Sequence, residues 1–496
     1  MPEVSQPIDT HQTTRQATPR HDPTALRHAE RLGDDSAYSV IDRVSRTAFA
    51  LLLLAVMVVG ALDANGIGMM LFWCAVANFL AMLAFRITLW KGGMPPAESV
   101  AAAALTSNQL PTFTILFPLK EEGPVIHQTI ACLCRLEYPT ELLEALVIVE
   151  QGDTITAASL RTVELPEWFR VITIPPAPPF TKGRALQYGL AEATGKYLTV
   201  FDAESHPDPA QLMNAAKHFA ALPEPACLQS VIRISNGNHN VLTRFFAAEY
   251  NDWFEHHIAR LSRKGMPFGL GGNSFYIATE TLRAVGGWDP YNVTEDAELS
   301  VRLVRQGVRM TLMESITHEV CPEQPKAWIQ QRTRWYKGLM ITQIVHLRQR
   351  WFGFADFPGR IWLNFWLRMI CGTLTPFFTI YLFILFSFRQ LSDPNVLLTN
   401  LVLLANLVLS LTISLLADRH RFAQMGVAMG PGKLIGGTLQ YWALHLAAGV
   451  MSLREYIFAP LVWHKTNHDG IIPEDEPGQV ATSPKADAQK IERIYG

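Results

Sequence analysis

Hydrophobic positions in this chain fall into two unlike populations. From Thr47 to Leu62 every residue is apolar or small, Asp63-Ala64-Asn65-Gly66 makes a turn, and a second apolar run extends from Met69 to Trp90, broken by Asn78 and Arg86. Two runs near bilayer length joined by a short turn predict a transmembrane hairpin over 47–90. Similar runs return at 363–387, 396–417 and 434–453, with Arg368, Asn406 and His445 among their few polar residues. Together with the aromatic stretch Tyr456–Trp463, flanked by Arg454 and Lys465, they predict transmembrane and interfacial helices over 361–463. Either five spans leave the C-terminal side outside, or the aromatic stretch completes a re-entrant hairpin. Residues 1–46 are polar and aperiodic, predicting a disordered cytoplasmic tail without a secretory signal, and 464–496 form a second polar tail.

The middle of the chain has a different period. Thr112–Pro118, Leu143–Glu150, Val171–Pro175, Tyr197–Ala203 and Cys227–Ile234 are short β-rich runs, separated by helical patterns at about 123–136, 182–194 and 208–221. That alternation predicts an α/β domain over 106–350 with a mostly parallel sheet, inserted between the transmembrane α-helices. The segment 242–262 is amphipathic and aromatic, suited either to a membrane interface or to packing on the sheet.

Composition sharpens this division. Only 17% of the 496 residues are charged, 49% are hydrophobic, and the mean hydropathy is +0.12; soluble domains carry about a quarter charged residues. Disorder throughout, a collagen-like fibre and a small disulfide scaffold are excluded. With 42 Lys+Arg against 44 Asp+Glu the net charge is −2, which gives no electrostatic case for nucleic acid. Arg15, Arg20, Arg27, Arg31, Arg43 and Arg46 precede the first apolar run, whereas the turn at 63–66 has no cation. Arg348, Arg350 and Arg360 precede the third run, and Arg419, Arg421 and Lys433 follow the fourth. The positive-inside rule then puts the tail, the α/β domain and the 418–433 loop in the cytoplasm of a multi-pass cell (inner) membrane protein. The six cysteines lack paired metal-ligand spacing and read as free thiols.

Open α/β sheets bind ligands beyond the carboxyl ends of their strands, so candidate chemistry is sought there. The second β-rich run ends in Glu150-Gln151-Gly152-Asp153 and the fourth in Asp202-Ala203-Glu204, while Thr294-Glu295-Asp296 opens a helix. Two carboxylates one residue apart suit Mg²⁺ or Mn²⁺ held with a phosphate, which makes Asp202 and Glu204 candidate metal ligands; a solvated turn is the alternative. Thr294 could cap its helix and Asp296 complement the helix dipole, a role compatible with catalysis. Gly269–Ser274 is either a close backbone approach to a ligand or an ordinary tight loop. The run Gln330–Gly338 offers cations to a diphosphate and Trp335 to a sugar face, or else forms a basic interfacial helix. His318-Glu319-Val320-Cys321 has no second ligand pair nearby and reads as structural.

From Thr112 to about Gly338 these residues resemble the membrane-embedded family 2 glycosyltransferases, the group of bacterial cellulose, hyaluronan and curdlan synthases. Gln331-Arg332-Thr333-Arg334-Trp335 fits the family's Q-R-x-R-W motif and Thr294-Glu295-Asp296 its T-E-D motif. Asp202-Ala203-Glu204 is similar to its D-x-D motif, and Lys182-Gly183-Arg184-Ala185-Leu186 to its lysine segment after the third strand. Two positions depart from the pattern: Glu150-Gln151-Gly152 stands where Asp-Asp-Gly is usual, and Glu204 replaces an Asp.

The resemblance implies a GT-A-like fold and inverting transfer of a sugar from a nucleotide sugar, a UDP-sugar in the first instance, to a growing β-linked polysaccharide exported through the enzyme's own spans. It implies Asp296 as general base, Glu150, Lys182, Asp202 and Arg334 as donor ligands, and Gln331, Arg332 and Trp335 as the acceptor and diphosphate motif. Its implied partners are the nucleotide sugar, a polysaccharide or lipid-linked acceptor, membrane lipid and accessory export subunits. Single transfer to a lipid acceptor is the alternative. A non-catalytic assembly subunit is a third reading, opposed by the intact Asp202, Asp296 and Arg334.

Overall fold

The computed structural model describes residues 21–62, 66–90, 105–123, 125–222, 226–348, 369–382, 394–427 and 429–462. Residues 1–20 of the first tail, the second tail, and 363–368 and 383–387 of the third apolar run lie outside the described residues.

One sheet is built from β1 (Phe113–Leu119), β2 (Leu143–Glu150), β3 (Phe169–Ile174), β4 (Tyr197–Val200), β5 (His206–Pro207), β6 (Ala226–Ile234), β7 (Phe275–Ala278) and β8 (Arg309–Glu319), in the order β3-β2-β1-β4-β7-β6-β8-β5. The strands from β3 to β4 pair in parallel, as do β6 and β8. The short β7 is antiparallel to both neighbours, β4 and β6, and β5 is antiparallel to β8. The first half of the chain supplies α1 (Pro23–Leu32), α2 (Arg43–Leu62), α3 (Ile67–Trp90), α4 (Val125–Leu133), α5 (Thr154–Leu160), α6 (Lys182–Glu192), α7 (Gln211–Ala221) and α8 (Val241–Asn251). A π-helical turn, Asp252–Ile258, carries α8 into α9 (Ala259–Arg263). Then follow α10 (Thr279–Ala284), α11 (Glu295–Arg305), α12 (Pro325–Leu347), α13 (Met369–Leu382), α14 (Pro394–Gln424) and α15 (Pro431–Phe458).

Alternation along the strands makes the two cores. Phe113, Ile115 and Phe117 of β1 point to the face covered by Ile126 and Ile130 of α4 and Leu212 and Phe219 of α7. Leu116 between them faces Leu186 and Leu190 of α6 and Leu299 and Leu303 of α11. A strand covered on both faces reads as a continuous apolar run, which is why β1, β2 and β4 stand out in the sequence. The four-residue β7 has too little length to do so.

The segment before α2 corrects the expectation of a free tail. Asp22 caps α1, accepting from the Thr24 N–H at 2.8 Å, and Ala25, Ala29, Ala37, Val40 and Ile41 pack with Tyr291, Ile341, Val345 and Tyr456. Ser36 Oγ and the Ala37 N–H donate to Asp289 at 3.1 and 2.6 Å, and Arg305 donates to Asp35 at 2.6 Å. The partners of Asp35, Ser36 and Ala37 lie some 250 to 270 residues away, so a local polar composition gave no sign of this order.

Among the described residues one helix, α3, contains a stretch long and apolar enough to cross a membrane, Ile67–Ala84, with mean hydropathy 2.0. Val44–Gly60 and Met369–Leu382 are shorter apolar helices. The five expected spans are therefore not all present as such helices within the described residues.

A buried ion pair fastens α11. Arg302, 3% exposed, donates to Glu298 Oε1 and Oε2 at 2.6 and 2.5 Å and to the carbonyls of Val285 and Gly287. Burial raises the Glu298 pKa, but the charge and hydrogen bonds of Arg302, with help from His346, prevail and hold it at about 2. A carboxyl depressed in the folded state stabilises above its ordinary value of 4.5 and loses that contribution as pH falls toward 2. Arg302→Ala strands the Glu298 charge and is expected to cost about 3–5 kcal/mol, read as a large fall in melting temperature at pH 7. Glu298→Gln should flatten the loss of stability between pH 4.5 and 2.

Candidate active site

The site forms where β2, β4 and β8 end and α6, α11 and α12 begin or pass. Thr181 caps α6, accepting from the Arg184 N–H at 3.3 Å, and so presents Lys182 at the helix start. Lys182 Nζ lies 2.6 Å from Asp202 Oδ1, 2.9 Å from the Gly272 carbonyl and 3.9 Å from Glu295 Oε1. Asn273 donates to Asp202 Oδ2 at 3.3 Å and to Glu319. One ammonium group thus joins the lysine segment, the Asp202–Glu204 turn, the Gly269–Ser274 loop and the start of α11.

That loop makes a close approach. Gly272 has φ +87°, and a Cβ there would stand 3.4 Å from Asp296 Oδ2. At α11, Thr294 does not cap with its side chain as the sequence suggests; its hydroxyl lies 3.3 Å from Asn292 Oδ1. Asp296 instead faces backbone N–H groups, its own and that of Ala297, at the positive end of the helix.

Carboxylates outnumber the cations beside them. Burial, followed by repulsion from Asp202 and Glu122, pushes Glu204 up to about 8. Glu319 is likewise pushed up to about 8, by burial and then by Glu204. Glu295 reaches about 7 through burial, with Lys182 opposing, and burial raises Asp296 against the pull of Lys182 and Arg334. Such a surplus of oxygen ligands suits a hard divalent cation. Among the described residues no group of three or more His, Cys, Asp or Glu side chains could hold a metal by itself.

The helix α12 closes the site. Gly338 sits against Thr294, where a Cβ would overlap the threonine side chain, so the helix can approach the Thr294-Glu295-Asp296 turn. Arg334 Nη1 reaches the Val293 carbonyl at 3.4 Å. Arg332 lines the cavity and is also paired within the protein. It donates to Glu249 on α8 at 2.7 Å, and its guanidinium lies 4.7, 5.1 and 4.3 Å from the ring centroids of Phe246, Trp328 and Trp335. Wedged between two helices, it fixes the Trp335 indole.

All nine expected site residues line one cavity of about 1100 Å³: Glu150, Lys182, Asp202, Glu204, Asp296, Gln331, Arg332, Arg334 and Trp335. From there the cavity passes Tyr250 and Trp253 and reaches Thr375 on α13, Ser414 on α14, and Thr438 and Trp442 on α15. Sequence reasoning missed Glu122 and Glu249 and read Glu319 as structural; all three also line it. Glu319 carried a usable signal, since it ends a strand; Glu249, inside an amphipathic helix, carried none.

Comparison with known proteins bears on this arrangement. Residues 114–279 match the family model described as Glycosyl transferase family 2, and residues 197–417 match Glycosyl transferase family group 2. The chain carries a family 2 glycosyltransferase domain. The enzyme is a glycosyltransferase, with an α/β fold of GT-A type. It is 27% identical over 298 residues to the probable glycosyltransferase YdaM of Bacillus subtilis (strain 168), covering 57% of this chain and 69% of that protein. It is 27% identical over 277 residues to a β-monoglucosyldiacylglycerol synthase of Synechocystis, covering 55% of this chain and 56% of that one. Over 251 residues it is 26% identical to the probable glucomannan 4-β-mannosyltransferase 15 of Arabidopsis thaliana, covering 48% of this chain and 47%, about half, of the plant protein. The fold is shared with the mannosyltransferase PcManGT of Pyrobaculum calidifontis, solved in complex with GDP-Man and Mn²⁺, at a TM-score of 0.53 and 17% identity over 82% of this chain and 99% of that one.

Gly338→Ala tests the close approach of α12. The added methyl has no space beside Thr294, so the glycosyltransferase should lose about 1–3 kcal/mol of stability from overpacking. Turnover with saturating donor should fall as the Thr294–Asp296 turn is displaced, checked by thermal melting and donor-saturation kinetics on the same preparation.

Proposed function

We propose that this glycosyltransferase transfers a sugar, with inversion, from a nucleotide sugar to a growing β-linked polysaccharide and passes the product into its own helical bundle. A UDP-sugar is the first donor to test and a GDP-sugar the second. The observation that carries the reading is the continuity of the cavity from the acidic cluster to hydroxyl and indole groups on α13, α14 and α15. Hydroxyl-bearing walls and aromatic faces suit a sugar chain better than an acyl chain.

In the proposed step an acceptor hydroxyl attacks the anomeric carbon of the donor. The new carbon–oxygen bond forms as the bond to the diphosphate breaks, and the hydroxyl proton passes to Asp296. Trp335, held by Arg332, supports the acceptor ring so that its hydroxyl is oriented for attack. Arg334 places positive charge where the departing diphosphate gathers its negative charge, and Glu150 and Lys182 hold the nucleotide part. Asp202 and Glu204 would hold Mg²⁺ or Mn²⁺, which supplies Lewis-acid stabilisation of the diphosphate when bound.

Membrane insertion of α2, α3, α14 and α15 belongs to the same proposal. Leu51, Leu52 and Leu54 on α2, Trp73 and Leu80 on α3, and Leu401, Leu404 and Leu407 on α14 are exposed apolar side chains. Outward apolar belts of this extent call for a lipid or protein cover. The positive-inside pattern then keeps the α/β domain in the cytoplasm. One feature favours the alternative of single transfer to a lipid acceptor: Phe79, Met82 and Leu83 of α3 give the cavity an apolar wall. Product sizing separates the two, with a glycosidase-sensitive polymer expected and monoglycosylated lipid alone as the outcome that sinks the polymer reading.

Asp296→Asn should abolish transfer while nucleotide binding persists; turnover retained in that variant refutes the base assignment. The base works ionised, and the Arg334 charge lowers the Asp296 pKa that burial raises. Arg334→Met should therefore move the acidic limb of the kcat profile to higher pH, in addition to lowering its plateau.

A further inference from the structure

The chain before the first apolar run, which sequence composition reads as a tail, reaches the donor end of the cavity. Asp22 and Arg184 are both almost fully buried, at 1% and 2% exposure. Arg184 Nε donates to Asp22 Oδ2 at 2.6 Å, Nη1 donates to Glu150 Oε1 at 3.0 Å, and Nη2 donates to the Pro175 carbonyl. Each guanidinium nitrogen thus has a partner within the protein. Glu150, by contrast, lines the cavity with one of its two oxygens engaged.

We infer that Asp22 and Arg184 are positioning residues for the donor site: the N-terminal segment holds Arg184, and Arg184 holds Glu150 so that its second oxygen faces the nucleotide base. This rests on the reading of Glu150 as a donor ligand given above. The distances make a relay of alternating charge, Asp22⁻, Arg184⁺ and Glu150⁻, in which a bidentate-capable guanidinium is shared between two carboxylates. Without the Asp22 charge, the same guanidinium is free to turn both faces to Glu150 and draw its second oxygen away from the cavity.

Asp22 is itself tightly set. It accepts from the Thr24 N–H at 2.8 Å and from the Tyr188 hydroxyl at 3.0 Å, and its own N–H donates to the Pro178 carbonyl at 2.6 Å. Farther along the segment, Ser36 and Ala37 are held by Asp289, and Asp35 by Arg305. The segment is therefore anchored at two places, one of them the relay. The side of the relay that meets substrate is an acceptor-only oxygen, which suits the ring N–H that uracil and guanine present at their pairing edge, where adenine offers only its exocyclic amino group.

The test uses the full chain with UDP-, GDP- and ADP-sugars of the same sugar. Asp22→Asn keeps the shape and removes the charge; the KM for the preferred donor should rise about tenfold, the worth of one charge-assisted hydrogen bond. kcat should stay within about twofold, and discrimination against the adenine donor should shrink. Arg184→Lys, which keeps a cation but cannot span both carboxylates, should give the same split. Ser36→Ala loosens the second anchor alone and should leave base discrimination unchanged. An unaltered KM and discrimination in Asp22→Asn, or a fall in kcat equal for all donors and matched by Ser36→Ala, overturns the inference. Glu150→Gln separates the two levels. If it leaves donor KM unchanged, the underlying reading of Glu150 fails and the inference with it; if it raises KM while Asp22→Asn does not, the inference alone fails.

Discussion

The contact between Lys182 and Asp202 is the constraint around which the catalytic half of this protein is arranged. Carboxylates from three separate turns, at the ends of β4 and β8 and at the start of α11, come together out of water. Left to themselves they repel, and burial raises the free energy of each charged form. A single ammonium group at the first residue of α6 touches one of these acids, comes near a second and lowers the charge cost of the others. In the proposed reaction, a cation and a diphosphate would compensate the surplus that remains.

A second buried cation ties this centre to the helices beyond it. Arg332 joins α12 to α8 through Glu249 and lies against three aromatic rings, one of them Trp335. Glu249 also accepts from Tyr441 on α15, so the same ion pair extends into the helical bundle. Arg332 and Glu249 both line the cavity that joins the acidic cluster to the bundle.

The N-terminal segment shows the same economy in a different place. It is ordered by an apolar face around Ala29 and Val40 and by carboxylate, hydroxyl and guanidinium groups that find partners on the α/β domain. Arg184 and Asp289 would each be a costly buried group without it. Buried polar groups that complete one another across long sequence separations specify one arrangement, since each is expensive to leave unpaired.

Much of this was legible in the chain alone, for reasons that are local. Doubly covered strands had to be apolar throughout, so β1, β2 and β4 were visible, and the acids that follow β2 and β4 marked the site. The helices α6 and α7 announced themselves by their period, and Lys182, Asp296, Arg334 and Trp335 by the motifs around them. Other features depended on distance in sequence. That Arg332 pairs with Glu249 and that residues 21–46 are packed are decided by partners tens to hundreds of residues away. Period and composition report the environment a residue needs, apolar or polar, turn or helix. Which charge fills that need is settled only when the fold brings the two side chains within hydrogen-bond reach.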